Sequence, residues 1–443
     1  MNDLLASAPV TLLAEGRALS CDTRATGLNN NLLVLGPSGA GKTRHVLKPN
    51  LLEMGSSFLV LDTKGLLHRE VGPLLACHGY DVQCVNFANL ESPDAGGGRE
   101  RDAVGYNPLA HIRRDAGAGR VNQQDVISVA KAMCPISMGD DPFWEQAAAN
   151  YLTCLIAYVL EELPASEQHL GSVARLVEEM DTGGTVRLMR ELELTNPQSY
   201  ALAVWRRIDK TRTADKTHAS IMAIIAERLM CLAFDGAVEL YTMPRQADFA
   251  RMGHERVALF VTVSDVDHSL APLTNLFVTQ ALQGLLREAD RCPEGRLPMP
   301  VRLMLDDFSN LTIPDFTEAI AVLRSREIWC TVLLQTVSQL VWRYGEAGAA
   351  TIMGNCDAQL VLAFQDAETA ARYADRADRL PSTLLATPLD RSWLFVRGRP
   401  GEEVRRCRLE GHPRYREMLE AAASRDEASA PHPGMSGADG PSW

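Results

Sequence analysis

Gly36-Pro37-Ser38-Gly39-Ala40-Gly41-Lys42-Thr43 sets glycines around small residues and ends on a cation and a hydroxyl. That arrangement suits phosphate chemistry. The glycines let the backbone turn so that several N–H groups converge on phosphate oxygens, Lys42 reaches the β- and γ-phosphates, and the Thr43 hydroxyl binds Mg2+. Asn31 to Leu35 before it is apolar, and the segment after it reads as a helix to Gly55, so the positive end of a helix would face the same oxygens. A chance glycine-rich turn is the alternative, and it needs neither flank. Hydrolysis of a nucleotide also requires an acidic partner. Asp306-Asp307 supplies one after the apolar run Val301 to Leu305. In a Walker B arrangement Asp306 helps hold the metal through water and Asp307 orients the attacking water. The competing reading is a strand-end pair that caps the next turn.

Other residues could complete such a site. Gln335 ends a further apolar run and would sense the γ-phosphate or contact the attacking water, or serve structurally. Arg324 and Arg326 could act as an arginine finger toward a neighbouring subunit's nucleotide, or form a solvated helix end. Asp62 and Lys64 close another apolar run and would line the same crevice. The aromatics Phe143 and Trp144 read as core residues of a helical region, with stacking on nucleic acid as the alternative, and the histidines, including His45, His68 and His218, show no metal spacing.

These residues need a scaffold that brings strand ends to one edge. Apolar runs at Ser57 to Leu61, Val82 to Phe87, Val257 to Val263, Val301 to Leu305, Trp329 to Leu334, Gln359 to Phe364 and Trp393 to Val396 read as strands. Helical patterns lie between them, at about Leu66 to His78, Pro272 to Asp290, Phe316 to Arg324 and Ala367 to Ala377. Alternating strands and helices predict an α/β fold on a parallel or mixed sheet, with the polar strand ends gathered at one edge. From Val121 to Met243 the apolar spacing changes to three and four, with Asp141-Pro142 as a helix start and Leu163-Pro164 as a stop. The expected organisation is a lead-in at 1–30 with a possible hairpin, a discontinuous nucleotide-binding domain at 31–115 and 246–411, an all-α insertion at 116–245, and a helix end with a disordered tail at 412–443, disorder being expected beyond Glu420. Glu91 to Arg101 reads as a surface loop.

Composition narrows the classes. The 443 residues are too many for one ordinary domain, and 46% hydrophobic content can bury a sizeable core. The net charge of −12 argues against a protein coated in nucleic acid, though a local basic channel or ring pore remains compatible with it. The 10 cysteines stand without CxxC pairs or adjacent His clusters, so a reduced cytoplasmic compartment is expected, with neither a zinc framework nor disulfides. The most apolar run, Ala147 to Leu160, is too short to span a bilayer, and the N-terminus makes a poor signal peptide.

GLNNNLLVLGPSGAGKT, LVLDTKG, YNPL, DPFWEQAAANYL, LMLDDFSNLTIPDF, LRSREI, LLQTVSQL and MGNCDAQLVLAF, in this order, resemble the type IV secretion coupling proteins, the TraG-like conjugation ATPases. The resemblance runs from about Gly27 to Leu380. It implies a RecA-like P-loop NTPase domain interrupted by an all-α domain that recognises cargo. It implies ATP and Mg2+ as ligands, and a homo-hexameric ring at the inner face of the cell membrane. The ring would deliver single-stranded DNA bound to a relaxase into the secretion channel. By motif, Lys42 and Thr43 become the Walker A residues, Asp306 and Asp307 the Walker B pair, Arg324 the finger and Gln335 the residue of the LLQ segment. The departures carry expectations too. The family usually begins with transmembrane helices and this chain has none, which suggests a separate membrane-anchoring subunit or a soluble form. The family's second Walker B acid is usually Glu, so Asp307 points to slow turnover. The DPKGE and LRSRG segments read DTKGL and LRSRE here. A nucleotide-binding cargo receptor that does not hydrolyse, and another RecA-like DNA-pumping motor, stand as alternatives.

Overall fold

The computed structural model describes residues 9–88, 90, 102–115, 117, 119–136, 141–181, 183–212, 214–264, 266–267 and 269–429. The loop expected at Glu91 to Arg101 and the end of the chain after Ser429 lie outside these residues, as does Asp265.

The lead-in forms a hairpin, β1 (Val10–Ala14) against β2 (Arg17–Ser20), followed by the single turn α1 (Thr23–Thr26). The main sheet opens with β3 (Leu32–Leu35). After the glycine-rich loop, Thr43–Leu47 winds as a π-turn and passes into α2 (Lys48–Leu52). Then come β4 (Ser57–Asp62), α3 (Leu66–Cys77) and β5 (Asp81–Asn86).

Between β5 and the next sheet strand the chain turns helical: α4 (Gln123–Met133), α5 (Pro142–Glu162), α6 (Leu170–Asp181), α7 (Gly184–Thr195), α8 (Tyr200–Arg212), α9 (Asp215–Met230) and α10 (Asp235–Thr242). The Asp141 side chain accepts the Phe143 N–H at 3.0 Å with Pro142 in the first turn, which is why α5 starts there. Its centre is buried from Tyr151 to Leu160, so the apolar run is the axis of a helical cluster. Among the described residues no helix is long and apolar enough to cross a membrane. Trp144 packs against this core, but its neighbour Phe143, pointing to another side of the first turn of α5, is 45% exposed and is no core aromatic.

The sheet then resumes with β6 (Val257–Thr262), α11 (Ala271–Arg291), β7 (Val301–Leu305), α12 (Phe316–Val322), β8 (Ile328–Leu334), α13 (Val337–Gly354), β9 (Ala358–Val361), α14 (Ala367–Ala377), α15 (Pro381–Leu385), β10 (Arg391–Val396) and β11 (Glu402–Arg405). The order is β11-β10-β9-β3-β8-β7-β4-β6-β5. From β9 to β5 every pairing is parallel, and β10 and β11 add an antiparallel edge.

Both faces of the sheet are covered. Leu33 and Leu35 of β3, with Leu59 and Leu61 of β4, join the core shared with the helical cluster. Leu32 and Val34, with Phe58 and Val60, face the core under α2 and α3. A final helix, α16 (Tyr415–Ser429), packs on α3, so the expectation of a disordered tail from Glu420 fails through Ser429. Polar anchors hold that helix: His78 Nε2 lies 2.6 Å from Glu417, and Arg425 bonds Asp102 at 3.0 Å.

Candidate functional site

Parallel strands end at one edge, and there the chain places Gly36 to Thr43 after β3, Asp62 at the end of β4, Asp306-Asp307 after β7 and Gln335 after β8. The glycine-rich loop is fixed from within and from outside. The Gly36 N–H donates to Leu334 O at 3.1 Å, which ties the loop to β8, and the Ala40 N–H donates to Pro37 O at 3.1 Å. Gly39 and Gly41 take φ of 79° and 82°, left-handed values that favour glycine. A Cβ on Gly41 would also strike the His45 ring at 2.5 Å. Lys42 is buried, and its Nζ donates to Gly36 O at 2.8 Å and Pro37 O at 3.3 Å, so the ammonium lies across the mouth of the loop.

Outside support comes from a residue that the sequence did not single out. Arg406, just past β11, donates to Ala40 O at 3.0 Å, Leu362 O at 2.5 Å and Arg391 O at 3.1 Å, joining the loop to β9 and β10. Burial lowers the pKa of its guanidinium from the usual value. His45 Nδ1 meets Cys407 O at 2.7 Å, and Arg44 pairs with Glu410. No local pattern announces these partners, because more than 360 residues separate them from the loop.

Across the crevice, burial first and then the charge of Asp307 push the Asp306 carboxyl up to about 6, while the Lys42 ammonium and the Asp307 N–H pull it down. That N–H donates to Asp306 Oδ1 at 3.1 Å. Asp307 itself sits at φ 47°, a left-handed turn that Asp tolerates better than most residues. Asp62 is buried and accepts the N–H groups of Leu66 at 3.2 Å and His68 at 3.0 Å. It therefore caps α3 while burial raises its pKa.

A cavity of about 540 Å³ is lined by Thr43, Lys48, Asp62, Lys64 and Asp306 together with Tyr415 and Met418 of α16. A smaller one of about 40 Å³ is lined by Asp306, Asp307, Thr63 and Asn310. The donor set of Thr43 hydroxyl and Asp306 carboxylate is all hard oxygen, which suits Mg2+. A buried acid with a raised pKa beside a second acid gains most from such a cation. When bound, Mg2+ supplies charge neutralisation at the phosphate oxygens. The left-handed glycines Gly39 and Gly41 and the Lys42 ammonium beside the loop suit a polyphosphate.

Gln335 is exposed directly beside Gly36, since Leu35 and Leu334 are paired in register, and its N–H donates to Gln339 Oε1 at 3.0 Å. Arg324 and Arg326 are not brought to this edge. They precede β8, whose length of about 23 Å separates them from it. Arg324 donates to Thr23 O at 3.2 Å, and Arg326 pairs with Asp290 at 2.9 Å. Neither reaches the edge of its own chain that carries the glycine-rich loop.

Residues 13–376 match the family model for the type IV secretory system conjugative DNA transfer proteins. The VirD4 protein of Rhizobium radiobacter is 23% identical over 342 residues, covering 76% of this chain and 46% of VirD4. The chain thus spans about half the length of that curated relative. Among solved structures, the plasmid coupling protein TrwB in complex with ADP and Mg2+ superposes with a TM-score of 0.64 at 16% identity, covering 90% of this chain and 89% of that one. The unbound monoclinic form of the conjugative coupling protein TrwBdeltaN70 gives 0.65 at 16% identity over 90% and 88%. VirB4 of Thermoanaerobacter pseudethanolicus gives 0.54 at 15% identity over 94% and 99%. At these identities the likeness is one of fold.

Proposed function

Because the chain belongs to the type IV secretory conjugative DNA transfer family, a membership carried by the match over residues 13–376, we propose that it is the ATP-driven coupling protein of a conjugative system. In this reading ATP lies on Gly36 to Thr43. Lys42 swings from the loop carbonyls to the β- and γ-phosphates. Thr43 and Asp306 hold Mg2+, and Asp307 and Gln335 position the attacking water. Arg324, at the opposite edge of its own sheet, serves a neighbouring copy's nucleotide in a homo-hexameric ring. The helical segment at 116–245 selects cargo, a relaxase-bound single strand of DNA, and the nucleotide-binding segments at 31–115 and 246–411 drive it toward the secretion channel. The ring works at the cytoplasmic face of the inner membrane.

The observation that carries this reading is the meeting of Thr43 and Asp306 at one cavity, with the Lys42 ammonium acting on an Asp306 carboxyl that burial and the Asp307 charge raise to about 6. Conjugal transfer in cells that depend on this chain tests it. Lys42→Ala should abolish transfer while the protein level is kept, and undiminished transfer would sink the motor. A second reading has one observation in its favour. Asp307 is a short acid locked in a left-handed turn, so its reach to an attacking water is limited. A receptor that binds ATP to fix its ring and does not hydrolyse it would need no more.

A further inference from the structure

α11 begins beside the acidic pair, where Leu270 and Ala271 line the smaller cavity with Asp306 and Asp307. Its 21 residues then run about 31 Å to the opposite edge of the sheet. At that far end Glu288 and Cys292 stand one helical turn apart and share a face. His254, just after the short turn Arg251–Gly253 that leads into β6, comes up against them. Its Nε2 lies 2.9 Å from Glu288 Oε1. One ligand atom from each of His254, Glu288 and Cys292 lies within 4.8 Å of the other two. The second oxygen of Glu288 is 3.2 Å from Arg291 Nη1. The joint is tied already by the Met299 N–H, which donates to Gly253 O at 2.9 Å.

We propose that His254, Glu288 and Cys292 form a binding site for a borderline-soft divalent cation, Zn2+, with water as the fourth ligand. Bond lengths of about 2.0–2.3 Å put neighbouring ligands of tetrahedral Zn2+ about 3.3–3.7 Å apart. The His–Glu pair therefore opens by about half an ångström and the sulfur closes by at most about one, movements within the reach of side-chain rotation. The last carbonyls of α11 add partial negative charge at the same place. Imidazole and thiolate select Zn2+ over Mg2+, so the site is chemically distinct from the all-oxygen pair Thr43 and Asp306. Binding uses neutral imidazole and thiolate. The Cys292 thiol proton passes to solvent as the S–Zn bond forms, and affinity rises with pH. The ion would clamp the end of α11 to the turn before β6, at the edge away from the nucleotide. Sequence spacing could not reveal it, since His254 lies 34 residues from Glu288 and only the fold brings them together.

The reduced, metal-stripped full chain is titrated with Co2+, a spectroscopic stand-in for Zn2+. One equivalent should produce a near-ultraviolet sulfur-to-cobalt charge-transfer band that Zn2+ removes and excess Mg2+ does not. Cys292→Ser should abolish the band, and His254→Ala and Glu288→Gln should each weaken binding by about tenfold or more. Circular dichroism and ATP affinity, both expected to be unchanged, report that the variants fold. No band, a band that survives Cys292→Ser, or an affinity untouched by His254→Ala and Glu288→Gln overturns the proposal. The last outcome would leave only a thiol beside a surface ion pair.

Discussion

Asp306→Asn probes the metal half of the proposed nucleotide site through protons. Burial and the adjacent Asp307 charge push the Asp306 carboxyl up to about 6. A cation between Thr43 and Asp306 favours the carboxylate, so binding of ATP with Mg2+ must expel whatever proton Asp306 still carries. With that midpoint the group holds about half a proton at about pH 6, about a tenth at about pH 7 and about a hundredth at about pH 8. Calorimetry in buffers of differing ionisation enthalpy counts the protons released. The parent should exceed Asp306→Asn by that series, and Asn should also remove most of the Mg2+ dependence of ATP affinity. The same shift acts on stability. The folded pKa lies above the unfolded value of 3.8, so the folded state binds this proton more tightly. The ligand-free chain therefore loses up to about 3 kcal/mol through this group as pH rises from about 4 to about 6. Asp306→Asn should recover part of that loss above about pH 6 and none below about pH 4. Equal proton release by parent and variant at about pH 6, or a variant that still needs Mg2+ for tight ATP binding, would refute the reasoning.

Other perturbations follow from the same geometry. Arg406→Ala removes a guanidinium that braces Ala40 O and Leu362 O; loss of about 1.4 kcal/mol of loop order should weaken ATP binding about tenfold, read by fluorescent-nucleotide titration, with kcat little changed. Asp307→Asn keeps a residue that accepts the left-handed turn, so the fold should survive while steady-state hydrolysis falls by about a hundredfold. An Asn variant that hydrolyses at the parental rate would remove Asp307 from the chemistry. Arg324→Ala and Lys42→Ala should each be inactive alone, yet a mixture of the two should regain part of the hydrolysis, because an intact loop can then face an intact arginine across an interface. No regain would confine Arg324 to its bond with Thr23 O.

How much of this could be read in the sequence depended on whether the signal was local. β7 and its acid pair stood out because a run with four apolar residues in five ends abruptly in two carboxylates, and the structure begins and ends that strand where the run does. α13 between β8 and β9 was missed: Trp342 is 75% exposed, Gly345 breaks the helix at φ 71°, and the alternation of faces is blurred. β11 was missed because an edge strand of Glu402–Arg405 carries mostly charges and no apolar run. α16 looked like a polar tail because its alanines and charges acquire meaning only against α3, through contacts such as Arg425 with Asp102. At the site, the loop and the acid pair were legible as types and spacing. The bracing by Arg406 and the raised Asp306 carboxyl were not, since both arise from packing between distant segments.

The central claim, that this chain turns over ATP to move single-stranded DNA, is tested most directly by phosphate release under single-turnover conditions, with and without saturating single-stranded DNA. The account predicts release from the parent that the DNA accelerates, and none from Lys42→Ala in either condition. Tight ATP binding with no phosphate released, even with DNA present, would contradict it and leave a nucleotide-fixed receptor.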